Sequence, residues 1–366
     1  MIPRIGKPFL VGFARYASSM VQKRRSGGKS GWQQESSTGE LAILNTIRSR
    51  ASSALKSQTD SRIRLGIGDD CALLRPRRGE ELAITTDLSI EGRHFRLDWH
   101  PPESVGHRTL ARGLSDLASM GAKPVAAFLS LGLPRVLTVS TSGSRAWVER
   151  FLDGLLALAA EHGVPLAGGD LAESPLAIAD IVLTGTVPNG KALLRSGARP
   201  GDLLYVTGSL GGAAAEFAAL EASPKSFAEA LTASRTSPHL FPQPRIAQGI
   251  WLRKRELASA AVDLSDGLST DLSHICKESG VTAEVEAGAL PLGAGATLAM
   301  ALHGGEDYEL LFTAPASAKL PRTVRGVAIT AIGRIRSLRK GAPIVTLLTS
   351  KGSEPLQPRG WEHFAG

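Results

Sequence analysis

The apolar positions between residues 39 and 188 follow a helical spacing in some segments and form short continuous runs in others. Leu110, Leu114 and Leu117 recur at i, i+4 and i+7, which predicts an amphipathic helix that ends near Gly121. Helices are also predicted over residues 39–50 and 147–162, and strands over residues 82–86, 125–133 and 178–187. This alternation is typical of an α/β or α+β fold.

The second half of the chain repeats this mixture after Pro188-Asn-Gly190, the clearest turn signal in the sequence. Strands are predicted over residues 203–207, 260–264, 282–287, 308–313 and 327–335, with helices after Gly212, through Arg255 and from Leu268 to Gly280. A chain of 366 residues exceeds the usual size of one hydrophobic core. We therefore predict an α/β (α+β) protein with domains at 39–188 and 189–366.

The positive charge of the chain is concentrated before the first predicted helix. The formal net charge is +8, but residues 1–38 hold seven Lys and Arg residues and one acidic residue. The rest of the chain is nearly neutral, so a surface that binds nucleic acid is not expected. Residues 1–38 are predicted to be a basic, disordered extension. A targeting segment, a flexible arm and sequence upstream of the true start codon remain open interpretations.

Two further features of composition restrict the class of protein. No run of 18 apolar residues occurs, so no transmembrane helix is predicted. Cys71 and Cys276, the two cysteines, form neither a disulfide framework nor a pair with zinc-ligand spacing. We expect a cytoplasmic protein in a reducing compartment, without a membrane partner.

Acidic residues repeatedly follow predicted strands or glycines. They are Asp70, Asp87, Asp116, Asp170, Asp263, Asp266, Glu306 and Asp307. Asp87 is placed at the end of a strand, and alternation puts Thr85 on the same face; Asp263 and Ser265 form a second such pair. Any single aspartate is more readily explained as a helix cap or turn residue. Together these oxygen ligands favour Mg²⁺, and hence a Mg²⁺–nucleotide enzyme that lacks a Walker loop.

Other segments offer groups that suit phosphate. Arg195 and Arg199 provide guanidinium groups for phosphate oxygens, although an exposed turn with a surface ion pair is an equal alternative. The glycines from Gly208 to Gly212 precede a predicted helix and could present backbone N–H groups to an anion, which is a weak signal. His94 is a candidate contact for a phosphate or polar substrate group, but a lone histidine is more often structural.

Eight sequence runs in one order resemble the motifs of the thiamine-monophosphate kinases, of the aminoimidazole-ribonucleotide-synthetase-like superfamily. They are Gly66–Ala72, Thr85–Phe95, Leu114–Ala122, Gly168–Asp170, Arg195–Ala198, Asp263–Gly267, Gly304–Leu310 and Gly360–Phe364. The resemblance covers residues 39–366, and the segment before it has no counterpart in the family. Ser119 replaces the usual alanine, and Arg93 stands beside His94 where a smaller or neutral residue is common.

The resemblance implies ATP-dependent phosphorylation of thiamine monophosphate to thiamine diphosphate, with no protein nucleophile. The implied Mg²⁺ ligands are Asp70, Thr85, Thr86, Asp87, Asp116, Asp170, Asp263 and Asp266. The implied ATP contacts are Gly169, Asp170, Arg195 and Ser265, and the implied substrate contacts are His94, Glu306 and Trp361. The family fold implies a homodimer in which N-terminal strands of both chains form a β-barrel, beside a C-terminal α+β domain.

Relatives with other activities remain alternatives at this level. An aminoimidazole ribonucleotide synthetase would lack the Gly304–Leu310 run, and a selenophosphate synthetase should carry a reactive cysteine beside a lysine near its start. A hydrogenase-maturation protein is a third sibling of this kind. A non-catalytic nucleotide-binding protein would belong to a different class, and an ATPase or kinase assay separates it from all the enzymes.

Overall fold

Two β-sheets and the helices that cover them make up the described part of the chain. The computed structural model describes residues 40–57, 62–67, 71–141, 143–223 and 237–360. The α-helices in these ranges are α1 Glu40–Ser57, α2 Pro102–Ser119, α3 Trp147–His162, α4 Gly212–Ala222, α5 Ile246–Lys254, α6 Leu268–Ser279 and α7 Leu298–His303. None of them is long and apolar enough to span a bilayer.

The strands are numbered in chain order. Those before residue 190 are β1 Ile63–Leu65, β2 Leu73–Leu74, β3 Glu80–Ile90, β4 Lys123–Leu133, β5 Leu166–Glu173 and β6 Ile178–Pro188. Those after it are β7 Leu203–Thr207, β8 Ala260–Asp263, β9 Val281–Glu286, β10 Leu310–Ala314, β11 Thr323–Val324, β12 Val327–Ser337, β13 Val345–Thr349 and β14 Gly352–Pro355.

The first sheet has four strands in the order β3-β6-β4-β5, of which only β4 and β5 run parallel. One face is covered by α2 and α3, because the predicted apolar stripe of α2 at Leu110, Leu114 and Leu117 is fully buried. Pro102 begins α2, where its missing N–H costs no helical hydrogen bond. The left-handed Gly121 follows the helix, as the sequence predicts.

The opposite face of this sheet is only partly covered. The short pair β1 and β2 packs over β4 and β5, where Val125, Ala126 and Ala167 form a small cluster. The outward side chains of β3 remain uncovered, with Ile84 64% exposed. The sheets formed by the described strands are open, so the expected barrel is not closed within this part of the chain.

The second sheet has eight strands, of which seven follow the order β14-β13-β9-β12-β7-β10-β8 and the eighth, β11, pairs with β12. Tyr205 of β7 and Phe312 of β10 stack at 5.3 Å, on the face that shares a core with α2 and the first sheet. The other face carries Leu204, Val206 and Leu311 in a separate core. Helix α2 therefore lies between the two halves and contacts both β3 and β8.

Most predicted elements are confirmed, but Asp87 and Asp170 lie inside strands, not at a strand end or after a glycine bend. Strand β3 continues past Asp87 to Ile90, because pairing with β6 extends to Ile178. Asp170 lies within β5. This strand was not predicted, because it contains Gly168 and Gly169 and glycine is depleted in strands. The domain boundaries at 39–188 and 189–366 stay a prediction.

Gly169 illustrates why β5 needs glycine. A Cβ atom at this position would lie 1.9 Å from the carbonyl oxygen of Leu129 in the neighbouring strand β4. Its φ angle is +149°, in a region that other residues rarely adopt. Close backbone approach, rather than a bend, therefore explains this glycine.

Candidate active site

A cavity of about 530 Å³ opens where α2, β3, the N-terminus of α4 and the loops after β8 and α7 meet. Seven predicted site residues line it: Asp87, His94, Asp116, Asp263, Ser265, Asp266 and Glu306. These residues are as much as 219 positions apart in the chain, between Asp87 and Glu306. The fold thus gathers acidic residues of both halves around one space.

One side of the cavity is rich in carboxylates. Asp116 comes from α2 and accepts a hydrogen bond from the hydroxyl of Thr85 on β3. Asp263 ends β8 and accepts a hydrogen bond of 2.7 Å from Ser115 Oγ. The Thr85 and Ser115 hydroxyls therefore hold two carboxylates in fixed orientations, although their like charges repel each other.

Burial and mutual repulsion destabilise the charged forms of these acids. Burial is the main cause that raises the pKa of Asp87; Arg112, 3.4 Å away, opposes the rise and Asp116 adds to it. Burial likewise raises the pKa of Asp263, and the charge of Asp116 adds to the effect. A cation between these carboxylates would offset both their burial and their mutual repulsion, and so would lower their pKa values.

The donor set fits Mg²⁺ bound together with a nucleotide. Asp87, Asp116, Asp263 and Asp266 offer only oxygen ligands, which Mg²⁺ prefers. Among the described residues, no three acidic, histidine or cysteine side chains form a ready-made metal cage. Mg²⁺ in nucleotide enzymes typically takes one or two carboxylates and completes its shell with water and phosphate oxygens. These residues could therefore hold the ion when phosphate groups share it.

Glu306 forms the centre of a second group on the cavity wall. Its carboxylate accepts a hydrogen bond of 2.6 Å from Arg108 of α2 and lies 3.4 Å from Nδ1 of His239. Burial opposes ionisation, but the charge of Arg108 and the contact with His239 outweigh it and hold the pKa of Glu306 well below its usual range. About a third of the side chain, 33%, remains exposed to the cavity.

Aromatic rings line the wall near Glu306. The rings of Trp99 and Phe217 lie 5.8 Å apart, and the Arg96 guanidinium stands 4.4 Å from the Trp99 ring. Phe217 also contacts the ring of His239 edge-on at 5.4 Å. Phe217 is 41% exposed although it is a large apolar side chain. Such a wall suits a flat or cationic ring.

Other predicted site residues lie outside the cavity lining. Thr86 is exposed on the opposite face of β3 from Thr85 and Asp87. Gly169 and Asp170 lie on β5, three strand spacings or roughly 14 Å from β3 across the sheet. Arg195 lies in the loop before β7, and its charge opposes the rise that burial causes in the pKa of Asp116 and of Asp263. Asp70 and Trp361 lie outside the described residues. The roles of all these residues stay predictions.

The cavity also contains residues that sequence reasoning missed. They are Trp99, Arg112, Phe217, His239 and Tyr308, with Arg108 directly behind Glu306. Arg108, Arg112 and Asp116 recur every four residues on α2, a charged stripe along a helix that is mostly buried. This spacing could have identified Arg108 and Arg112 as candidate site residues from the sequence. No local sequence pattern indicates that the segments containing His239 and Phe217 lie against the cavity.

The glycine segment before α4 does not face an open anion site. The Asp307 carboxylate accepts hydrogen bonds of 2.7 Å from Gly211 N–H and 3.4 Å from Ala213 N–H. The helix N-terminus is therefore already occupied by a carboxyl group of the same protein.

Two domain families match the chain. The family model of the N-terminal domain of AIR synthase related proteins matches residues 68–187, and that of the C-terminal domain matches residues 199–345. The thiamine-monophosphate kinase of Salmonella typhimurium is 40% identical over 346 residues, which covers 89% of this chain and 98% of that protein. The enzyme of the same name from Bacillus subtilis is 31% identical over 319 residues, covering 83% and 94%.

Solved structures resemble this fold. Thiamine-monophosphate kinase from Stenotrophomonas maltophilia aligns with a TM-score of 0.69 at 36% identity, covering 84% of this chain and 96% of that one. AaThiL complexed with AMPPCP and TMP aligns with a TM-score of 0.66 at 30% identity, covering 92% and 100%. Hydrogenase maturation protein HypE in complex with ATP shares only the fold, with a TM-score of 0.65 at 18% identity over 90% and 97%. Sequence and fold agree that the chain belongs to the thiamine-monophosphate kinase family of AIR synthase related proteins.

Proposed function

We propose that this protein transfers the γ-phosphoryl group of ATP to the phosphate of thiamine monophosphate, forming thiamine diphosphate and ADP. The observation that carries the proposal is that a single cavity has an acidic side and an aromatic side. The acidic side suits Mg²⁺ and nucleotide phosphates, and the aromatic side suits the rings of the acceptor. The names of the relatives point to the same reaction.

The chemistry requires positioning more than a protein base. A phosphate oxygen of thiamine monophosphate attacks the γ-phosphorus of ATP in line, and the bond from that phosphorus to the β–γ bridging oxygen breaks. The attacking oxygen is already anionic, so no side chain has to remove a proton from it. The main obstacle is repulsion between two groups of phosphate oxygens, and Mg²⁺ supplies the charge that neutralises them.

The residues on the acidic side hold and orient the phosphates. Asp87, Asp116, Asp263 and Asp266 would bind Mg²⁺, and the Thr85 and Ser115 hydroxyls fix two of these carboxylates in place. Arg112 lines the same cavity and can face a phosphate oxygen. We propose that Ser265 contacts ATP, and that Gly169, Asp170 and Arg195 do so in the assembled enzyme. Asp70 and Thr86 are further proposed Mg²⁺ ligands, and Trp361 is a further proposed contact for the substrate.

The aromatic side would receive the acceptor. Thiamine monophosphate carries a cationic thiazolium and an aminopyrimidine, and both are flat rings. The Arg96 guanidinium over Trp99 shows that this indole face accepts a planar cation. His94 and the ionised Glu306 stand beside it as polar contacts. The acceptor phosphate would then point to the acidic side.

We propose that the working enzyme is a homodimer. β3 is an edge strand, and Leu82, Ile84 and Leu88 on its outward face are between 42% and 64% exposed. A row of large apolar side chains on a sheet edge favours pairing with another sheet. A second copy would cover this face, and the two four-stranded sheets would form the barrel that the family fold implies. Because the reaction uses ATP, we place it in the cytoplasm.

The direct test incubates purified protein with Mg²⁺ and ATP, with and without thiamine monophosphate. Thiamine diphosphate and ADP are both followed by chromatography. We expect one thiamine diphosphate for each ADP. ATP turnover without thiamine diphosphate would instead favour another activity of the superfamily, and no turnover would favour a nucleotide-binding protein without catalysis.

A further inference from the structure

A chain of polar contacts runs behind Glu306, from the cavity mouth to its carboxylate. The Arg96 N–H donates to Nδ1 of His100 at 3.1 Å, and Nε2 of His100 lies 3.1 Å from Nε2 of His239. Nδ1 of His239 then faces Oε2 of Glu306 at 3.4 Å. Both histidines are almost completely buried, whereas Glu306 reaches the cavity.

The two histidines of this chain are uncharged. Burial, with the charge of Arg108, lowers the pKa of His100 to about 3 and that of His239 to about 4, so both rings are neutral near pH 7. Nδ1 of His100 lies 3.1 Å from the Arg96 N–H and 3.2 Å from the Arg96 carbonyl oxygen, so either tautomer of this ring has a backbone partner. The Arg108 guanidinium lies 2.9 Å from Nδ1 and 3.0 Å from Nε2 of His239, and Glu306 faces Nδ1 of the same ring.

Arg108 holds the same group from a second direction. Its guanidinium donates to Oε1 of Glu306 at 2.6 Å, to the carbonyl oxygen of His239 at 2.7 Å and to that of His94 at 3.2 Å. The Glu306 backbone is also constrained, with φ at +57° and its N–H bonded to the Ser265 carbonyl oxygen at 2.8 Å. Both carboxylate oxygens therefore have fixed directions.

We propose that His239, with His100 and Arg108, positions the Glu306 carboxylate for the acceptor, and that His239 is thereby a specificity-determining residue of the site. Arg108 alone would balance the charge of Glu306. The two neutral histidines add no charge, so what they add is direction. A carboxylate held in its binding orientation loses less conformational freedom when a ligand arrives. This inference rests on the proposed function, in which Glu306 contacts thiamine monophosphate.

The test measures KM for both substrates in variants of His239. His239→Leu removes the ring that faces Glu306 and Arg108, and we expect KM for thiamine monophosphate to rise about tenfold, as for the loss of a polar contact with a charged group. KM for ATP should stay within about twofold. His239→Asn keeps an N–H donor near the Nδ1 position, so it should restore much of the affinity.

His107→Leu is the matched control. His107 is another buried histidine of α2 and contacts the carbonyl oxygen of Pro242 at 2.7 Å, beside a separate cavity of about 370 Å³. Its removal should leave both KM values unchanged. Thermal melting of each variant verifies folding, and Arg108→Lys replaces His239→Leu if the latter does not fold. The lysine keeps the charge but cannot hold Glu306 and His239 together.

A double-mutant cycle separates positioning from general packing. If His239 acts through Glu306, adding His239→Leu to Glu306→Gln should change KM for thiamine monophosphate little further. The inference would be overturned if the two substitutions raised KM for thiamine monophosphate independently, so that their effects multiplied. An unchanged KM in folded His239→Leu would overturn it too. Neither result would affect the proposed function, because the wild-type protein would still form thiamine diphosphate. A wild-type protein that forms none would overturn the proposed function, and this inference with it.

Discussion

Ser115 Oγ donates a hydrogen bond of 2.7 Å to Oδ2 of Asp263, and both residues are buried. The bond joins α2, in the first half of the chain, to the end of β8 in the second. Asp116, the next residue of α2, lines the cavity together with Asp263. The position of one helix therefore sets the spacing between carboxylates that come from different halves of the protein.

Asp87→Asn should reduce kcat by about 100-fold or more, or about 3 kcal/mol of transition-state stabilisation. The amide keeps the shape of Asp87 but loses the charge that would bind Mg²⁺ in the cavity. Steady-state kinetics at saturating Mg²⁺ measure the loss, and circular dichroism verifies the fold. Asp98→Asn is the control, because Asp98 is exposed and its carboxylate pairs with Arg96. Near-normal turnover in Asp87→Asn would remove Asp87 from the metal site.

Phe217→Ala should raise KM for thiamine monophosphate about tenfold and leave KM for ATP nearly unchanged. The reason is the loss of an aromatic face in the cavity, where one ring contact contributes about 0.5–1.5 kcal/mol beyond the area it buries. Val136→Ala, at an exposed apolar position away from the cavity, serves as control. Equal increases in both KM values would contradict the assignment of the aromatic side to the acceptor.

Arg245→Met should reduce the free energy of unfolding by about 3–5 kcal/mol, because it leaves the Glu309 carboxylate buried without its cation. Arg245 Nε donates to Glu309 at 2.6 Å, and Thr207 Oγ1 donates to the same oxygen at 2.6 Å. Urea denaturation measures the change. Lys191→Ala breaks the exposed pair with Glu256 and should not move the midpoint. If both variants shift the midpoint equally, burial does not determine the strength of the Arg245 pair.

Ile84→Asp should convert a dimer to a monomer. Ile84 is the most exposed large apolar residue of β3, so a charge there would be buried against the second copy. Sedimentation velocity gives the oligomeric state. Leu338→Asp is the control, since Leu338 is exposed just after β12 and away from the first sheet. A protein that remains dimeric in Ile84→Asp would place the interface elsewhere.

The stabilising contribution of Asp307 should fall as the pH rises from about 4 to about 7. Burial raises the pKa of Asp307 to about 7, and Glu309 and Glu306 add to the rise, although the Gly211 and Ala213 N–H groups oppose it. The folded protein therefore binds a proton that the unfolded chain has already lost above about pH 4. Asp307→Asn cannot titrate, so the difference in unfolding free energy between wild type and variant isolates the effect. A difference that is flat with pH would contradict it.

Local patterns predicted the regular elements well. Leu203–Thr207 is a strand with the predicted ends, and helix α3 spans Trp147–His162 as its stop signals indicate. Strand β5 was missed because Gly168 and Gly169 are typical of a bend. Strand β14 was missed because its short sequence is polar and ends in proline. Strand β13 was also missed, although its residues Val345–Thr349 are typical of a strand.

The candidate site was predicted in part. Aspartates beside serine or threonine indicated the acidic side, and the family resemblance assigned His94 and Glu306 to the substrate. The aromatic side was not predicted, because Trp99 and Phe217 meet only through contacts between distant segments. Likewise, His239 reaches Glu306 from a loop 67 positions earlier in the chain.

Most strands and helices, the near-neutral charge of residues 39–366, the kinds of ligand atoms and the family could be predicted from the amino-acid sequence. These properties depend on the spacing of side chains along the chain and on their chemistry. Three relationships required the folded structure: Arg108 and His239 converge on Glu306, Asp307 occupies the N-terminus of α4, and particular aspartates share one cavity. Such contacts depend on how the two sheets pack around α2, and packing is set by the whole core rather than by any local segment.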